Sequence, residues 1–258
     1  MSKLMRRHSI AEYIYERGEV KFDELKKRFP DVSEMTLRTD LKALDEQGKL
    51  IRMRGGARSI QENTKASDLY YKRAQINQDK KLQIAVKAVN YIRKYLENRP
   101  NLMIYMNSGS TITEIAKLFP DEWCTIVTNS ISNAYALSSL KKPTVIVLGG
   151  TLNRFNCCCD SAANLAQLER MNFDINILAV AGYSEQEGFT CVKEVMDETV
   201  DTILQRSKRV IIPIDSTKIG VAYPITHARL EDVDVIVSDD MLPEDTRKSF
   251  IDHGIEVL

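Results

Sequence analysis

The feature that most constrains this chain is the stretch from Ser33 to Gly56, SEMTLRTDLKALDEQGKLIRMRGG. Leucines recur in it at helical spacing, at positions 37, 41 and 44, and predict a helix with one narrow apolar stripe. Ser33 is a suitable N-cap, because its hydroxyl can accept a hydrogen bond from an amide of the first turn. Gly48 is placed to end the helix. The stretch therefore predicts a helix that buries one face and leaves the other polar.

The residues around this helix predict further short elements. In the run KLIRMRGGAR, residues 49–54 alternate with the period of a strand, and Gly55-Gly56 is a natural hairpin tip. Upstream, a first helix is expected over residues 6–17, and a short second helix from Asp23 to Phe29, capped by Asp23. Helix, short helix, turn, helix and basic hairpin is the order of a winged helix-turn-helix domain.

The polar face of the third helix predicts contact with DNA. Its hydroxyl and cationic groups can donate to base edges and phosphates, and its methyl groups can meet thymine. A charged helix face on its own is usually just solvated, so the helix-turn-helix context carries this prediction. The residues expected to contact double-stranded operator DNA are Ser33, Met35, Thr36, Arg38, Thr39, Lys42, Lys49, Arg52 and Arg54.

This segment resembles the DNA-binding domain of DeoR-type bacterial transcriptional regulators. The pattern is Glu24-Leu25, Phe29, Val32-Ser33, Thr36, Leu37-Arg38, Asp40-Leu41, Leu44, Gly48, Leu50 and Arg54-Gly55-Gly56-Ala57. The family often has two arginines before the aspartate, whereas this chain has Arg38-Thr39. The resemblance implies a DNA-binding regulator, and the substitution implies an operator sequence and affinity that differ from the family's usual ones.

The charge of the chain is distributed unevenly. Residues 1–60 contain 14 Lys+Arg and 10 Asp+Glu, a net +4, and the remaining 22 and 26 give −4, so the total is zero. A basic N-terminal part suits contacts with phosphates. Because the excess is modest, a monomer would bind DNA weakly. We therefore expect a homo-oligomer, a dimer or tetramer, that engages repeated half-sites.

The second part of the chain alternates between strand-like and helix-like patterns. Apolar runs predict strands at Leu102–Met106, Thr125–Thr128, Val145–Leu148, Ile175–Ala181, Val210–Ile214, Val233–Val237 and Ile255–Val257. Helices are expected at Lys80–Leu96, Thr111–Phe119, Ser130–Leu140, Ala162–Met171 and Glu194–Arg206. This predicts an α/β domain with a mostly parallel sheet covered on both faces. The polar residues 59–78 predict a linker between a domain of residues 1–58 and one of residues 79–258.

Ligands of such sheets bind at the loops that leave the carboxyl ends of strands. Three of these loops are polar: Asn107–Thr111, Thr128–Ser130 and Asp215–Gly220. The first runs directly into a helix, where free amides and hydroxyls make an anion site that suits phosphate. Each loop alone could be ordinary capping or turn chemistry. Three of them in one domain favour a pocket.

The resemblance to DeoR-type regulators continues through this domain. It rests on Arg73, Lys81, Ile84-Ala85, Ser108–Thr111, Val127–Ser130, Leu148–Gly150, Gly182, Gly188, Asp215, Lys218 and Gly220. It implies a fold similar to ribose phosphate isomerases and related transferases, with an effector site for a phosphorylated sugar intermediate. Carried over by position, the effector-binding residues are Asn107, Ser108, Gly109, Ser110, Thr111, Thr128, Asn129, Gly149, Gly150 and Lys218.

Two departures from the family pattern concern the chemistry of the pocket. Asn107 stands where the family usually has an aspartate, and a neutral amide cannot serve as a general base. The segment FNCCCDS, residues 155–161, lacks the glycine that commonly follows Gly149-Gly150 in the family. The pocket is therefore expected to be narrower, or its ligand to differ from a common sugar phosphate.

The sequence gives little support for a metal-binding, membrane or secreted protein. Three of the five cysteines are adjacent and cannot all point at one tetrahedral ion, and the three histidines are scattered. We expect no metal and no cofactor, and we interpret the cysteines as small buried residues rather than as thiol sensors. There is no apolar run of membrane-spanning length, and MSKLMRRHSI lacks the apolar core of a signal peptide. A cytoplasmic protein is expected.

The functional prediction is a transcriptional regulator, a repressor of a carbohydrate-metabolism operon whose operator binding is modulated by a phosphorylated sugar or related metabolite. We do not expect an enzyme, because the pocket offers no recognisable histidine pair and Asn107 replaces the useful carboxylate. Two alternatives stay open. One is a sugar phosphate isomerase-like enzyme with an appended DNA-binding domain. The other is a DNA-binding protein whose degenerate sensor domain serves only to oligomerise.

Overall fold

The computed structural model describes residues 3–17, 19–46, 50–53, 55–59, 70–99, 101–192 and 197–258. The chain divides into two compact units, Met1–Asp68 and Leu69–Leu258. The division lies inside the segment predicted as a linker, residues 59–78. Because residues 60–69 are outside the described ranges, the linker stays a prediction.

The N-terminal unit contains three helices and a small antiparallel sheet. The helices are α1 (Lys3–Arg17), α2 (Phe22–Arg28) and α3 (Glu34–Glu46), and the strands are β1 (Glu19–Lys21), β2 (Leu50–Met53) and β3 (Gly56–Ser59), in the order β1-β3-β2. Buried side chains from all three helices and all three strands, among them Leu37, Leu41 and Leu44, form one core. The winged helix-turn-helix fold predicted from the sequence is confirmed, and β1 is an addition to it.

The start of α2 differs from the prediction. Asp23 was expected to cap this helix, but the helix begins at Phe22, and Asp23 lies in its first turn. Glu24 supplies the capping contact instead, since its Oε2 accepts from the Lys21 amide at 2.8 Å. A glutamate at the third helical position is long enough to reach back to the amide before the helix, which places the boundary one residue earlier.

The C-terminal unit alternates helices and strands. Its helices are α4 (Tyr70–Ala74), α5 (Gln78–Asn98), α6 (Ser110–Lys117), α7 (Ile131–Leu137), α8 (Ala162–Leu168), α9 (Asp197–Gln205) and α10 (Glu244–Asp252). Its strands are β4 (Leu102–Met106), β5 (Cys124–Thr128), β6 (Thr144–Val147), β7 (Thr151–Asn153), β8 (Cys158–Asp160), β9 (Ile175–Ile177), β10 (Gly182–Ser184), β11 (Gly188–Cys191), β12 (Val210–Pro213), β13 (Ile225–Ala228), β14 (Val235–Val237) and β15 (Glu256–Val257).

Seven of these strands form one parallel sheet in the order β15-β14-β12-β9-β4-β5-β6. Along the chain, the sheet therefore grows from β4 through β5 to β6 on one side. On the other side it grows from β9 through β12 and β14 to β15. Apolar side chains fill both faces: one cluster lies under α5 and α6, and others lie under α8, α9 and α10. The predicted parallel sheet, covered on both faces, is confirmed.

Two regions depart from the predicted strand-helix alternation. The apolar run Ile175–Ala181 was expected to be one strand, but β9 ends at Ile177 and the rest leaves the sheet. Leu178 and Val180 stay buried because they pack into a second core cluster, which explains why the whole run is apolar. Two small antiparallel sheets, β7-β8 and β10-β11-β13, were not predicted, since their strands are too short to give a clear period. Within the described ranges, no helix has the length and apolarity needed to cross a bilayer.

Candidate DNA interface and candidate effector site

The two faces of α3 divide as the sequence predicted. Leu37, Leu41 and Leu44 are buried, whereas Met35 is 76% exposed. The Ser33 hydroxyl accepts from the Thr36 amide at 3.2 Å, which confirms Ser33 as the N-cap. The other predicted DNA contacts on this helix are also on its outer side: Ser33, Arg38, Thr39 and Lys42 are exposed, and Thr36 is half-buried. Their contact with DNA stays a prediction.

Two of these outward side chains are held by neighbours. The Arg38 guanidinium lies 4.2 Å from the centroid of the Phe22 ring and makes a cation–π contact with it. Phe22 belongs to α2, so the stack fixes Arg38 relative to the preceding helix. The Thr39 hydroxyl donates to the Met35 carbonyl at 2.8 Å, one turn back along α3.

Asp40 is a buried charge that sequence reasoning used only as part of the family pattern. Its two carboxylate oxygens accept from Arg6 Nε at 2.6 Å and from Arg7 Nε at 2.8 Å, and its side chain is 1% exposed. Burial by itself would raise the pKa of Asp40, but the hydrogen bonds from the two arginines outweigh it and hold that pKa below 3.8. The carboxylate thereby ties α1 to the inner face of α3. Its position three residues after Leu37, on the apolar stripe, is the signal that could have revealed it.

The wing consists of β2 and β3. Arg52 is exposed, and its amide donates to Asp45 Oδ1 at 3.2 Å, which fastens the wing to α3. Gly55 has φ +90°, and a Cβ on Gly56 would lie 2.3 Å from the Val20 carbonyl oxygen of β1, so both tip positions need glycine. The predicted DNA contacts Lys49 and Arg54, and the predicted helix terminator Gly48, lie outside the described residues.

The candidate effector site lies where the strand order reverses, between β4 and β9. In doubly wound sheets this is the point at which the loops after neighbouring strands separate and leave a crevice. The Asn107 amide donates to the Ile177 carbonyl at 3.1 Å, and a Cβ on Gly109 would lie 2.9 Å from the Ala179 Cβ. The loop before α6 therefore packs closely on the loop after β9. Only glycine allows this approach.

The second polar loop is tied to the first. Thr128 is fully buried, and its hydroxyl donates to the Met106 carbonyl at 2.7 Å, so this side chain joins the ends of β4 and β5. Asn133, which sequence reasoning missed, is also fully buried. Its Nδ2 donates to the Asn107 carbonyl at 2.9 Å, and its Oδ1 accepts from the Thr113 hydroxyl at 2.7 Å. These contacts fix the shape of both loops.

The β7-β8 hairpin lies against both loops. The Cys159 amide donates to the Asn129 carbonyl at 2.8 Å, and the Ser108 hydroxyl lies near the Cys158 thiol, where it lowers the pKa of that thiol. Gly150 has φ +143°, and a Cβ there would lie 2.4 Å from the Asp160 carbonyl oxygen, so this glycine is needed for the hairpin to close. Gly149 is exposed beside it. The hairpin is made by the segment in which the sequence departs from the family pattern.

Two cationic side chains lie near each other, beside the loop after β9 and the end of α4. Lys218 Nζ donates to the Val180 carbonyl at 2.8 Å and lies 3.9 Å from Asp215 Oδ2. Lys81 is 5% exposed, and its ammonium donates to the carbonyl oxygens of Arg73 and Ile76. Burial, together with the nearby positive charge of Lys218, lowers the pKa of Lys81 to about 8. An anion at this position would relieve both effects.

Lys81 and Arg73 were not among the predicted effector residues. Lys81 shares the buried face of α5 with Ile84, Ala85 and Ala88, and a lysine on an apolar helical stripe is the signal that could have identified it. Its neighbour Lys80 differs, because Lys80 Nζ is paired with Asp239 Oδ1 at 2.8 Å. The Lys81 ammonium instead donates to neutral carbonyls.

Two buried oxygen atoms in these loops have no hydrogen-bond partner among the described residues. They are Thr111 Oγ1 in the first turn of α6 and Asn129 Oδ1 in the second loop, and each residue is 5% exposed. Buried polar groups are rarely left unsatisfied, so unpartnered ones mark candidate contacts for a ligand. Asp215, in contrast, is fully engaged: its Oδ1 accepts from the Thr217 amide and hydroxyl and from Asn77 Nδ2.

The cysteines near the site are not arranged for thiolate chemistry. Burial raises the pKa of Cys158 to about 12 and that of Cys191 to about 11, so both are neutral thiols at physiological pH. A search of the described part of the chain finds no group of three or more His, Cys, Asp or Glu that could hold a metal ion. What the site offers is positive charge, backbone amides and hydroxyl groups, a set that suits an anion.

Comparison with known families matches both units. A model described as the DeoR C terminal sensor domain matches residues 76–240, and one described as a DeoR-like helix-turn-helix domain matches residues 6–63. The chain belongs to the DeoR family. Like the other members of this DeoR family, it is a DNA-binding transcriptional regulator.

Curated relatives of this DeoR-family chain align over most of its length. The HTH-type transcriptional regulator IolR of Bacillus subtilis is 28% identical over 256 residues, 99% of this chain and 98% of that protein. The HTH-type transcriptional repressor GlcR of the same species is 28% identical over 228 residues, 88% of this chain and 85% of that protein. Among solved structures, ribose 5-phosphate isomerase A of Methanocaldococcus jannaschii aligns over 55% of each chain, with 14% identity and a TM-score of 0.38.

Proposed function

We propose that this DeoR-family protein is a repressor of a carbohydrate-metabolism operon, and that a phosphorylated sugar or related metabolite modulates its binding to operator DNA. The observation that carries the effector proposal is that Lys81 lies near Lys218, and that Lys218 contacts the loop after β9, on which the loop before α6 packs. Under this proposal the outer face of α3 and the wing bind the operator. The similarity to GlcR, a transcriptional repressor, supports this direction of regulation.

Phosphate fits the effector site better than other common anions. The amides at the start of α6 are unpaired within the helix and carry its positive dipole end, and Ser108, Ser110 and Thr111 add hydroxyl groups. Lys81 and Lys218 supply the charge that a phosphate dianion requires. Asn129 Oδ1 can accept a hydrogen bond, as a sugar hydroxyl would offer one. The proposed effector is therefore a small molecule with a phosphate at one end and hydroxyls at the other.

The mechanism follows from linkage. If the effector binds the non-DNA-binding arrangement of the protein more tightly, it shifts the population toward that arrangement by its difference in affinity. A coupling of about 1–3 kcal/mol, typical of such regulators, weakens operator binding by about 5- to 150-fold. We also propose that the protein acts as a homo-oligomer, because one weakly basic N-terminal unit contributes few phosphate contacts.

An isomerase-like activity is the second candidate, and the side chains of the site argue against it. Proton abstraction next to a carbonyl needs a base within reach of the substrate. Asn107 is a neutral amide, and Asp215 is buried with its Oδ1 already accepting three hydrogen bonds. We therefore propose a binding site without turnover. Conversion of pentose or amino-sugar phosphates by the purified protein would contradict this.

A thermal-shift screen against phosphorylated sugars tests the effector proposal, because a ligand that binds only the folded protein raises its melting temperature. We expect a sugar monophosphate to stabilise the wild type, and Lys218→Ala or Ser110→Ala to abolish the shift. Lys208→Ala is the matched control, since Lys208 is 69% exposed and pairs with Asp174. A hit that survives both site variants would place the effector elsewhere, and the absence of any hit would contradict the proposal.

A further inference from the structure

The turn of the β7-β8 hairpin is bound to α4, the first helix of the C-terminal unit. The Phe155 carbonyl accepts from the Tyr70 amide at 2.9 Å and from Arg73 Nη2 at 3.2 Å. The same Arg73 nitrogen donates to Asn156 Oδ1 at 2.9 Å, and the guanidinium lies 4.7 Å from the Phe155 ring centroid. These contacts fix both the backbone and one side chain of α4 against the hairpin.

The end of α4 is also bound by the candidate anion site. Lys81 donates to the carbonyl oxygens of Arg73 and Ile76, which lie in α4 and in the turn that follows it. A lysine ammonium has three N–H donors, so these two carbonyls leave one for a ligand. An anion with several oxygens competes for the other donors. Anion binding at Lys81 therefore changes how firmly the end of α4 is held.

The base of the same hairpin lies against both polar loops of the candidate effector site, Asn107–Thr111 and Thr128–Ser130. Cys158 lies near Ser108 of the first loop, and Cys159 donates to the Asn129 carbonyl in the second at 2.8 Å. A change in either loop is thus passed directly to the hairpin. The hairpin thus connects α4 with the loops Asn107–Thr111 and Thr128–Ser130. Lys81 provides a second connection, between the candidate anion site and α4.

We infer that the β7-β8 hairpin and α4 are the coupling element of the effector site. Effector binding acts on α4 directly through Lys81, and also through the base of the hairpin, whose change the contact between Asn156 and Arg73 passes to α4; Asn156→Ala removes only this second route. Asn156 is thus a positioning residue for regulation and not an effector ligand. In sequence, α4 follows residues 60–69, which connect it to the wing strand β3. The inference rests on the anion site proposed above.

The test uses the full chain with inorganic phosphate as the probe, and compares wild type with Asn156→Ala. Two quantities are measured over a phosphate titration: the melting temperature, which reports binding, and amide hydrogen exchange in residues 70–76 and 108–113. In the wild type we expect phosphate to raise the melting temperature and to change exchange in both segments, by about fivefold or more in residues 70–76. In Asn156→Ala, the melting shift and the change at residues 108–113 persist, but the change at residues 70–76 falls below half.

Two further variants separate coupling from folding. Asn156→Asp keeps an oxygen acceptor for Arg73, so it should retain the wild-type response of residues 70–76. Asn172→Ala removes an exposed asparagine that accepts from Arg206 Nη1 at 3.4 Å, the same kind of pair on another surface. It should behave as wild type in every readout.

The outcomes distinguish the two proposals. If phosphate leaves the melting temperature and residues 108–113 of the wild type unchanged, the anion site is wrong and the coupling inference falls with it. If phosphate binds but residues 70–76 do not respond, or respond equally in Asn156→Ala, the anion site stands and the coupling inference is overturned. With duplexes selected from random DNA, phosphate should alter wild-type affinity by about tenfold and that of Asn156→Ala by less than threefold.

Discussion

The proposed DNA-binding face and the proposed effector site of this protein are built in opposite ways. On α3 the functional side chains are exposed, lie on one helix and come from consecutive turns, as Met35 and Arg38 show. In the proposed effector site many of them are buried or half-buried, and they come from positions as distant as Lys81, which is buried, and Lys218, which is half-buried. A surface that must meet a large, rigid polyanion can be laid along one helix. A site that must enclose a small anion has to be assembled from several loops.

The same difference appears in how charge is treated. The outward cations of α3 are solvated, so each contributes to DNA binding without any cost of burial. The Lys81 ammonium is buried, and its pKa is lowered to about 8, so a bound anion gains from relieving an unfavourable state. Asp40 is a buried charge in the DNA-binding unit, so its substitution is the first test of this contrast.

The largest effect is expected for Asp40→Ala. The substitution removes the carboxylate that Arg6 and Arg7 share. The Asp40 side chain is only 1% exposed, so little water is available to replace it. We expect the N-terminal unit to lose about 3 kcal/mol of unfolding free energy, as is typical when one partner of a buried ion pair is removed. Urea denaturation followed by circular dichroism measures it. Asp31→Ala, in an exposed turn, is the control, and equal stability of the two variants would contradict a structural role for Asp40.

Asp40 also predicts an acid limb in stability. Because its pKa is lowered in the folded state, its contribution is complete above the unfolded value near 3.8 and is lost as the pH falls through the lowered folded value. As the pH falls below about 4, wild type should therefore lose stability more steeply than Asp40→Asn. Melting temperatures across that range provide the measurement. Parallel curves would show that other carboxylates control acid unfolding.

Lys81→Met should have the next largest effect, on effector binding. The substitution removes a charge-assisted hydrogen bond to the anion, which corresponds to a loss of about 10- to 100-fold in affinity. Calorimetric titration with the sugar phosphate found in the screen measures it. Lys87→Met is the matched control on the same helix, since Lys87 pairs with Asp240 at 2.8 Å. An unchanged affinity in Lys81→Met would remove Lys81 from the site and with it the contrast in burial.

The lowered pKa of Lys81 predicts a pH dependence of the same binding. Below pH 8 the ammonium is charged and attracts the effector, and as the pH rises through about 8 the free site loses this charge. Affinity should therefore decline from pH 7 to pH 9.5. In Lys81→Arg, where the guanidinium stays charged, the decline should be absent or much smaller. Identical pH profiles for the two proteins would contradict the titration of Lys81.

Arg38→Ala tests the exposed side of the comparison. An arginine that reads a base edge contributes about 1–3 kcal/mol of discrimination, so the variant should tolerate base changes at particular operator positions about tenfold better. Phe22→Leu should produce a smaller effect at the same positions, because it removes only the ring that holds the guanidinium. Binding assays on single-base operator variants measure both. If Arg38→Ala instead weakened all sequences equally, Arg38 would be a phosphate contact.

The smallest effect is expected for Thr39→Arg, which adds a basic residue to the outer face of α3. One extra phosphate contact should tighten operator binding several-fold at low salt and increase the salt slope by about one. Affinity measured over a series of salt concentrations gives both quantities. Thr39→Ala, which removes the hydroxyl bonded to the Met35 carbonyl without adding charge, is the control. An unchanged slope would place residue 39 away from the phosphates.

Much of the fold could be predicted from local signals. The stripe of Leu37, Leu41 and Leu44, and the continuous apolar runs such as Leu102–Met106, repeat at periods that a helix or a buried strand imposes. The short strands of the β7-β8 and β10-β11 hairpins gave no such signal, since two to four residues cannot establish a period. They pair because longer elements have already placed them side by side.

The effector site was only partly predictable. The loops at Asn107 and Asn129 were identified because small polar residues directly followed strands. Lys81, Asn133 and Arg73 were not assigned, because their roles depend on which helix faces which loop. Thr128 was expected to border the ligand, and in the structure its hydroxyl donates to the Met106 carbonyl.

By itself, then, the sequence determined the class of each unit: a one-sided helix followed by a basic hairpin, and a parallel sheet with polar loops at its strand ends. Those properties follow from backbone periodicity and local hydrogen bonding, which act between near neighbours in the chain. Only the tertiary structure decided that Lys81 and Lys218 lie near each other, and that the β7-β8 hairpin contacts both α4 and the loop at Asn129. The physical reason is that charge and hydrogen-bond complementarity depend on distances in space, and those are set by how the sheet winds from β4 and β9.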